Sequence, residues 1–207
     1  MSSFGFERES MISDALVDHL HANGVVAYPT STLPGLACLP TKEALDALYA
    51  LKQRPADKPV SLGVLSLDQA ATLVDVPEKV RRLEAAFPKG GFSFVLDART
   101  PLDPRLGGAR VAVRCLAHPV ARALVETVGP ITATSANESG ETPAASADEA
   151  GRGLGLPHHA ILPGACPGGK GSTFVNVTTN EHEVEVTVMR EGVVPSDSVV
   201  EWWKSHT

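Results

Sequence analysis

The sequence predicts an α/β protein, a twisted mixed sheet with helices on both sides. Short apolar or alternating segments, which are typical of strands, recur between segments whose apolar residues have helical spacing. Two of the apolar strands run directly into polar loops, and such loops are where α/β sheets bind ligands. Because no internal repeat and no low-complexity linker divides the chain, we expect one domain over residues 1–207.

Composition excludes several classes of protein. Hydrophobic residues make up 43% of the chain and charged residues 20%, as in a soluble globular protein. The sequence has no apolar run of about 18 residues and no signal-peptide pattern, so we expect a cytoplasmic protein without a membrane partner. Its three scattered cysteines form no disulfide framework. The formal net charge of −6 argues against a broad nucleic-acid-binding face but permits a local basic cleft.

The first half of the chain is predicted to alternate between helices and strands. Ser10 can cap the first helix and Gly24 can end it, whereas Thr41 can cap the second. Pro77 is suited to the first turn of a later helix. The predicted elements are helix 11–23, strand 25–29, helix 42–51, strand 60–65, helices 66–74 and 77–87, and strand 92–96.

The second half is predicted to be richer in strands and to end in a helix. The elements are strand 110–114, helix 118–128, strand 130–134, one or two helical turns within 144–155, a brief strand at 161–162, strands 172–178 and 184–190, and helix 196–203. The last two strands alternate and are long enough to pair with each other.

Cations are concentrated where the second helix is predicted to end. Lys52, Arg54 and Lys58 fall within one short stretch, and Pro55 breaks the helix among them. A turn stiffened by Pro55 and Pro59 would hold these cations in a defined geometry, which suits a phosphate group. An ordinary solvated turn is the alternative.

Hydroxyl and amide side chains follow two of the predicted strands. Residues 30–32, Thr-Ser-Thr, follow strand 25–29, and residues 135–137, Ser-Ala-Asn, follow strand 130–134. The alternative is that both segments are plain turns. Because the sequence offers no obvious nucleophile, cations and hydroxyl groups at strand ends indicate a site that positions an anionic cosubstrate.

Two further patterns are rejected as sites. Segment 164–171 has the G-x-x-x-x-G-K spacing of a phosphate-binding P-loop. However, Gly171 replaces the Ser or Thr that ligates magnesium, and the segment leads into a strand and not a helix. His158 and His159 are adjacent, so on an extended segment they point in opposite directions and cannot share one ion. We therefore expect no protein-ligated metal.

Five motifs resemble those of the YrdC/Sua5 family in their order along the chain. They are Tyr-Pro-Thr-Ser-Thr-Leu-Pro-Gly-Leu at 28–36, Lys-Gln-Arg-Pro-Ala-Asp-Lys-Pro at 52–59, Val-Ala-Val-Arg at 111–114, Thr-Ser-Ala-Asn-Glu-Ser-Gly at 134–140 and Gly-Ser-Thr-Phe-Val at 171–175. The resemblance runs from about residue 10 to residue 192 and implies a YrdC-like fold with a central concave cleft. It also implies a nucleotidyltransferase that makes L-threonylcarbamoyladenylate from threonine, bicarbonate or carbon dioxide, and ATP, releasing pyrophosphate, for the t6A modification of tRNA.

The resemblance assigns residues to two substrates. The ATP site is expected to contain Lys52, Arg54, Lys58, Ser135, Asn137 and Arg190, and the threonine site Thr32, Arg114 and Ser172. Lys52 and Arg54 are the expected catalytic pair. Because such side chains belong at a cleft, alanine at either position is expected to leave the fold intact. ATP is a substrate here, and Mg²⁺ is carried by the nucleotide.

Four positions depart from the family's usual pattern. Ser31 stands where the family usually has an acid, Pro34 where it has an aromatic residue, Gly63 where longer members often have His, and Asn176 where an Asp is frequent. Losing a charge and a flat apolar wall is expected to leave a roomier, less selective amino-acid pocket above an unchanged nucleotide site.

Two other functions are consistent with the same residues. The first is that of a family paralogue which acts on another carbamoyl compound. The second is that of an RNA-binding module, for tRNA or double-stranded RNA, which uses the same basic cleft. The tRNA threonylcarbamoyl transferase complex is a further partner that the resemblance suggests.

Overall fold

The computed structural model describes residues 12–180 and 183–206, which are built around one eight-stranded sheet. The strands are β1 (Val26–Tyr28), β2 (Gly35–Ala37), β3 (Ser61–Val64), β4 (Phe92–Asp97), β5 (Arg110–Cys115), β6 (Ile131–Ser135), β7 (Thr173–Thr179) and β8 (Val184–Arg190).

The sheet is mixed, as the sequence predicts. Its spatial order is β1-β2-β6-β3-β5-β4-β7-β8. Parallel pairing joins β3 to β5 and β4 to β7, whereas every other neighbouring pair is antiparallel. The parallel pairs lie in the middle of the sheet, so the chain crosses over it repeatedly before the sheet is complete.

Seven α-helices surround the sheet in the part of the chain that the structure describes. They are α1 (Asp14–His21), α2 (Lys42–Lys52), α3 (Leu67–Ala70), α4 (Glu78–Ala86), α5 (Pro119–Val128), α6 (Ala147–Gly153) and α7 (Ser196–Ser205). Ser13 caps α1, because its side chain accepts a hydrogen bond from the Leu16 N–H. Ser10 and Met11 lie outside the described residues. Thr41 caps α2 as predicted.

Helices cover both faces of the sheet, and this part of the predicted fold is confirmed. Ala27 and Val26 are neighbours on β1, so their side chains point to opposite faces. Ala27 belongs to one hydrophobic cluster together with Leu45 of α2. Val26 belongs to a second cluster with Leu16 of α1 and Leu124 of α5.

Strand β2 is not predicted from the sequence, and one predicted strand is shorter than expected. Gly35 to Ala37 is a three-residue strand between β1 and β6, too short to show a period. Gly35 is required there by space, because a Cβ would lie 2.7 Å from the Tyr28 ring. The strand predicted at 161–162 is reduced to one bridge between Ile161 and Ala27.

Among residues 12–180 and 183–206, no helix is both long and apolar enough to cross a membrane.

Candidate functional site

A cavity of about 380 Å³ opens where the central strands end. Its wall takes residues from all eight strands and from loops next to them. These residues include Ser61, Ser93, Arg114, Ser135, Ser172 and Arg190. Because every strand supplies at least one residue, the sheet as a whole determines the shape of the cavity.

The wall of the cavity is strongly basic, although the protein has a net charge of −6. Arg54, Arg114, Lys170 and Arg190 line it, and the one carboxylate among the lining residues is that of Glu191. Four cations against one anion leave an excess positive charge, which favours an anionic ligand.

Arg114 is the cation at the floor of the cavity. Its guanidinium donates to the Gly90 carbonyl oxygen from Nε (3.2 Å) and Nη2 (3.0 Å), and Nη2 also donates to Thr32 Oγ1 (2.9 Å). Among the described residues, no carboxylate forms an ion pair with it. Burial lowers the pKa of Arg114, and the nearby charge of Arg190 acts in the same direction. A desolvated guanidinium without a counter-ion is a strong site for a carboxylate.

Hydroxyl groups arrange the loop that follows β1. Thr30 Oγ1 donates to the Leu33 carbonyl oxygen (2.6 Å) and accepts from the Thr32 N–H (3.0 Å). This local pairing turns the Thr32 hydroxyl towards Arg114, where it accepts a hydrogen bond. Thr30, Thr32 and Leu33 therefore form one side of the cavity wall.

Ser31 and Pro34 do not belong to that wall, contrary to the expectation that they widen the amino-acid pocket. Ser31 Oγ lies 3.5 Å from Arg114 Nη2. Pro34 is buried, and its carbonyl oxygen accepts from the Ala136 N–H (2.8 Å). The apolar surface in this part of the cavity comes from Leu33.

Gly63 and Asn176 also lie away from the wall. A Cβ at Gly63 would approach Leu116 Cδ1 to 2.9 Å, so a larger residue there requires Leu116 to move. Asn176 Oδ1 accepts a hydrogen bond from Arg110 Nη2 at 2.7 Å, and neither residue lines the cavity.

The opposite side of the cavity is formed by β4, β7 and β8. The hydroxyl groups of Ser93 and Ser172 are 2.8 Å apart, and both residues are buried. Arg190 Nη2 donates to the Ser172 carbonyl oxygen (3.2 Å), and its guanidinium lies 4.6 Å from the centre of the Phe174 ring. These contacts hold the Arg190 side chain against the cavity wall.

Lys52 is buried and does not line the cavity, which differs from its predicted place at the cleft. Its Nζ donates to the carbonyl oxygens of Ser135 and Asn137, each at 2.5 Å. Its own carbonyl oxygen accepts from the Ser139 N–H at 2.9 Å. Lys52 is 1% exposed. Its hydrogen bonds join the end of α2 to the end of β6 and the loop after it.

The remaining residues of the predicted ATP site are placed differently from one another. Arg54 lines the cavity, and it donates to the carbonyl oxygens of Lys58 (2.6 Å) and Pro59 (2.9 Å). The Lys58 side chain is exposed and outside the wall. The Asn137 amide donates to the carbonyl oxygens of Glu138 and Glu141 and is also outside the wall.

Several residues of the cavity wall are not predicted from the sequence as parts of the site. The sequence places Ser61 and Ser93 only in strands, and Tyr28 in a strand and a family motif without a role in the site, yet the side chains of all three face the cavity. Lys170 and Glu191 were not assigned to the site. Lys170 carried a signal, the G-x-x-x-x-G-K spacing, but that pattern was rejected as a P-loop.

The described residues bring no three His, Cys, Asp or Glu side chains close enough together to hold a metal ion.

The stability that depends on Lys52 is expected to change with pH. Burial lowers the pKa of Lys52 from 10.5 to about 8, with a smaller effect from the nearby Arg54 charge. Between these values the unfolded chain holds a proton that the folded chain has released. The free energy of unfolding of the wild type should therefore rise, relative to Lys52→Met, as the pH increases from about 8 to 10. Urea titrations of both proteins measure this difference, and a constant or falling difference contradicts the lowered pKa.

An open mixed sheet whose strand ends enclose a cavity rich in cations and hydroxyl groups defines an α/β protein suited to a small anionic ligand. The chain belongs to the Sua5/YciO/YrdC family, because the family model described as "Telomere recombination" matches residues 18–192. The family that the sequence motifs predict is therefore confirmed.

Curated relatives cover most of the chain. The threonylcarbamoyl-AMP synthase of Marinobacter nauticus is 35% identical over 167 residues, which are 77% of this chain and 88% of that protein. The threonylcarbamoyl-AMP synthase of Haemophilus influenzae is 37% identical over 147 residues, 67% of this chain and 80% of that protein.

Solved structures share the fold. P. abyssi Sua5 complexed with L-threonine superposes with a TM-score of 0.75 at 29% identity, over 89% of this chain and 55% of that one. This chain therefore spans about half the length of that Sua5 protein. E. coli YciO superposes with a TM-score of 0.71 at 24% identity, over 90% of each chain, and supports the fold alone.

Proposed function

We propose that this chain is an enzyme that synthesises L-threonylcarbamoyladenylate from threonine, bicarbonate or carbon dioxide, and ATP, and that it releases pyrophosphate. The adenylate is the activated compound for the t6A modification of tRNA. The tRNA threonylcarbamoyl transferase complex is its expected partner. Relatives with the name threonylcarbamoyl-AMP synthase support the reaction.

The proposal rests on the position of Arg114 in the cavity and on its lack of a carboxylate partner among the described residues. Its guanidinium lies at the cavity floor without a carboxylate partner among the described residues, and it is oriented by Gly90 and Thr32. An amino-acid carboxylate fits this fork. Thr32, which accepts a hydrogen bond from Arg114, and Ser172 are the hydroxyl groups proposed to complete the threonine site, and both line the cavity.

The nucleotide is proposed to occupy the rest of the basic wall. Arg54 and Arg190 are suited to the phosphates, and Ser135 can donate to a phosphate oxygen. Lys52 is proposed to hold the end of β6 and the loop after it, residues 135–139 (the Ser135 loop), in place through two carbonyl oxygens and not to contact the phosphates. Mg²⁺ enters on the phosphates of ATP in this proposal, and no side chain is assigned to it.

The proposed chemistry needs no covalent enzyme intermediate. The threonine amine and carbon dioxide form a carbamate with the loss of one proton. A carbamate oxygen then forms a bond to the α-phosphorus of ATP while the bond from that phosphorus to the β-bridging oxygen breaks. Pyrophosphate leaves with the electron pair, and the cations of the wall stabilise the charge that develops on it.

The proposal is tested by incubating the purified protein with ATP, Mg²⁺, threonine and bicarbonate. We expect pyrophosphate release and L-threonylcarbamoyladenylate, identified by mass spectrometry, and we expect neither when threonine is omitted. Pyrophosphate release that depends on another carbamoyl compound and not on threonine would support the paralogue function instead. RNA binding without any ATP turnover would support the RNA-binding module.

Alanine variants of Arg54 and Lys58 test whether a cation must line the cavity to support turnover, or need only lie in the same turn. Arg54→Ala is expected to lower turnover about 10²-fold, because it removes one preorganised donor from the phosphate wall. Lys58→Ala is the matched control and is expected to stay within about threefold of the wild type, since its side chain is exposed and outside the wall. Steady-state pyrophosphate release measures both, and equal losses would contradict the assignment of Arg54.

A further inference from the structure

An ion pair lies at the edge of the cavity and has no part in the reaction proposed above. Lys170 Nζ and Glu191 Oε1 are 2.7 Å apart, and both residues line the cavity. The two side chains are 64% and 44% exposed. They come from different segments, the glycine-rich stretch before β7 and the turn after β8. Exposed ion pairs of this kind contribute little to stability, so the pair can be exchanged for another partner at small cost.

Glu191 is the anchored member of the pair. Its Oε2 accepts from the Ser196 N–H at 3.1 Å, at the start of α7, where Pro195 provides no side-chain cap. The carboxylate therefore stabilises the helix N-terminus as well as Lys170. The hydrogen bond from Lys170, with those from Ser196, lowers the pKa of Glu191 to about 2, so this group is charged at neutral pH.

Lys170 is the member that can change partner. Gly168 and Gly169, which precede it, have φ values of 74° and 76°, and a Cβ at either position would meet nothing within 4 Å. Backbone conformation, and not lack of space, therefore requires glycine at both positions. The Gly168 N–H donates to the Thr32 carbonyl oxygen at 2.9 Å, which attaches the segment to the cavity wall. The Lys170 side chain is long and exposed beyond that attachment.

We propose that Lys170 is a further ligand for the terminal phosphates of ATP, and that Glu191 is the partner which these phosphates replace when the nucleotide binds. This inference rests on the proposed function. The other cations of the wall, Arg54, Arg114 and Arg190, hold carbonyl oxygens or hydroxyl groups of the protein. Lys170 instead holds a carboxylate, so its bound partner is already an anion. A polyphosphate carries more negative charge than one carboxylate and can compete for the same ammonium group.

This role differs from that of a P-loop, although the G-x-x-x-x-G-K spacing is shared. The segment leads into β7, so no row of helix N-terminal amide groups faces a phosphate. Lys170 would act as a point charge alone. Its contribution is therefore expected to concern phosphate binding and not the threonine site.

Nucleotide binding to the full chain tests this inference. Calorimetry with ATP and with AMP compares the wild type, Lys170→Met and Glu191→Gln. Lys170→Met is expected to weaken ATP binding about tenfold and AMP binding less than about twofold, because AMP lacks the terminal phosphates. Glu191→Gln keeps an acceptor for the Ser196 N–H but removes the competing charge, so ATP binding is expected to tighten about threefold.

The matched control is Lys204→Met, which removes the same charge from an exposed position in the last turn of α7. It is expected to leave both affinities unchanged. ATP binding that is unaffected by Lys170→Met, or equal weakening of ATP and AMP, would overturn the inference alone. An equal loss of ATP affinity in Glu191→Gln and in Lys170→Met would also overturn it, because the ion pair would then stabilise the cavity wall and Lys170 would not bind the phosphates. A wild-type protein that does not bind ATP would overturn the proposed function and this inference with it.

Discussion

Lys52→Ala is expected to lower turnover about 10²–10³-fold and to reduce the free energy of unfolding by about 1–3 kcal/mol. The variant leaves the carbonyl oxygens of Ser135 and Asn137 without the ammonium that they share. Because these carbonyls belong to the end of β6 and the loop after it, where Ser135 lines the cavity wall, this segment loses its attachment to α2. Relief of the cost of burying the Lys52 charge offsets part of the lost stability, as the lowered pKa of Lys52 indicates.

Urea unfolding and pyrophosphate release, measured well below the unfolding temperature, separate the two effects of Lys52→Ala. Arg54→Ala is the comparison, because it should lose turnover with little loss of stability. A residue that positions the Ser135 loop should also raise the KM for ATP more than that for threonine. Full activity in a folded Lys52→Ala protein would contradict the role assigned to Lys52.

Arg114 is expected to control threonine binding. Arg114→Ala should lower kcat/KM for threonine about 10³-fold or more, since it removes a desolvated charge partner of the carboxylate. Arg114→Lys should recover only part of this loss, because lysine keeps the charge but not the planar fork that also holds Gly90 and Thr32. The KM for ATP should change little in both variants.

The control for Arg114 is Arg110→Lys, four residues earlier on β5, whose guanidinium pairs with Asp97 and Asn176 outside the cavity wall. It should leave both substrate constants near their wild-type values. If the constants for threonine and ATP rise together in Arg114→Lys, Arg114 stabilises the whole cavity and does not read the carboxylate.

The architecture was largely predictable from local patterns. Strands such as β8 (Val184–Arg190) alternate clearly, and the Thr41 cap marks the start of α2. β2 was missed because three residues, Gly35 to Ala37, carry no periodic signal. Its strand character comes from pairing on both sides with β1 and β6, which is information from distant parts of the chain.

The site was also predictable only in part, because some of its contacts join residues that lie far apart in the sequence. The family motifs assign Arg114 and Thr32 to the threonine site, and their positions at the end of one predicted strand and just after another agree with that assignment. The burial of Lys52 could not, because the carbonyl oxygens that receive its ammonium lie 83 and 85 residues further along the chain. Charge clustering in the sequence at 52–58 therefore does not correspond to clustering in the cavity.

The placement of β7 between β4 and β8 has a consequence for protein synthesis. The wall residues Ser172, Phe174, Arg190 and Glu191 are made after all the other residues of the cavity wall have been translated. β7 must pair with β4 in parallel, and the paired residues lie far apart in the sequence. The chain therefore loses loop-closure entropy before the pairing stabilises it. A ribosome-bound chain that stops before residue 172 is therefore expected to bind neither substrate. Ligand-dependent protection from protease should begin only when residue 190 has left the ribosome.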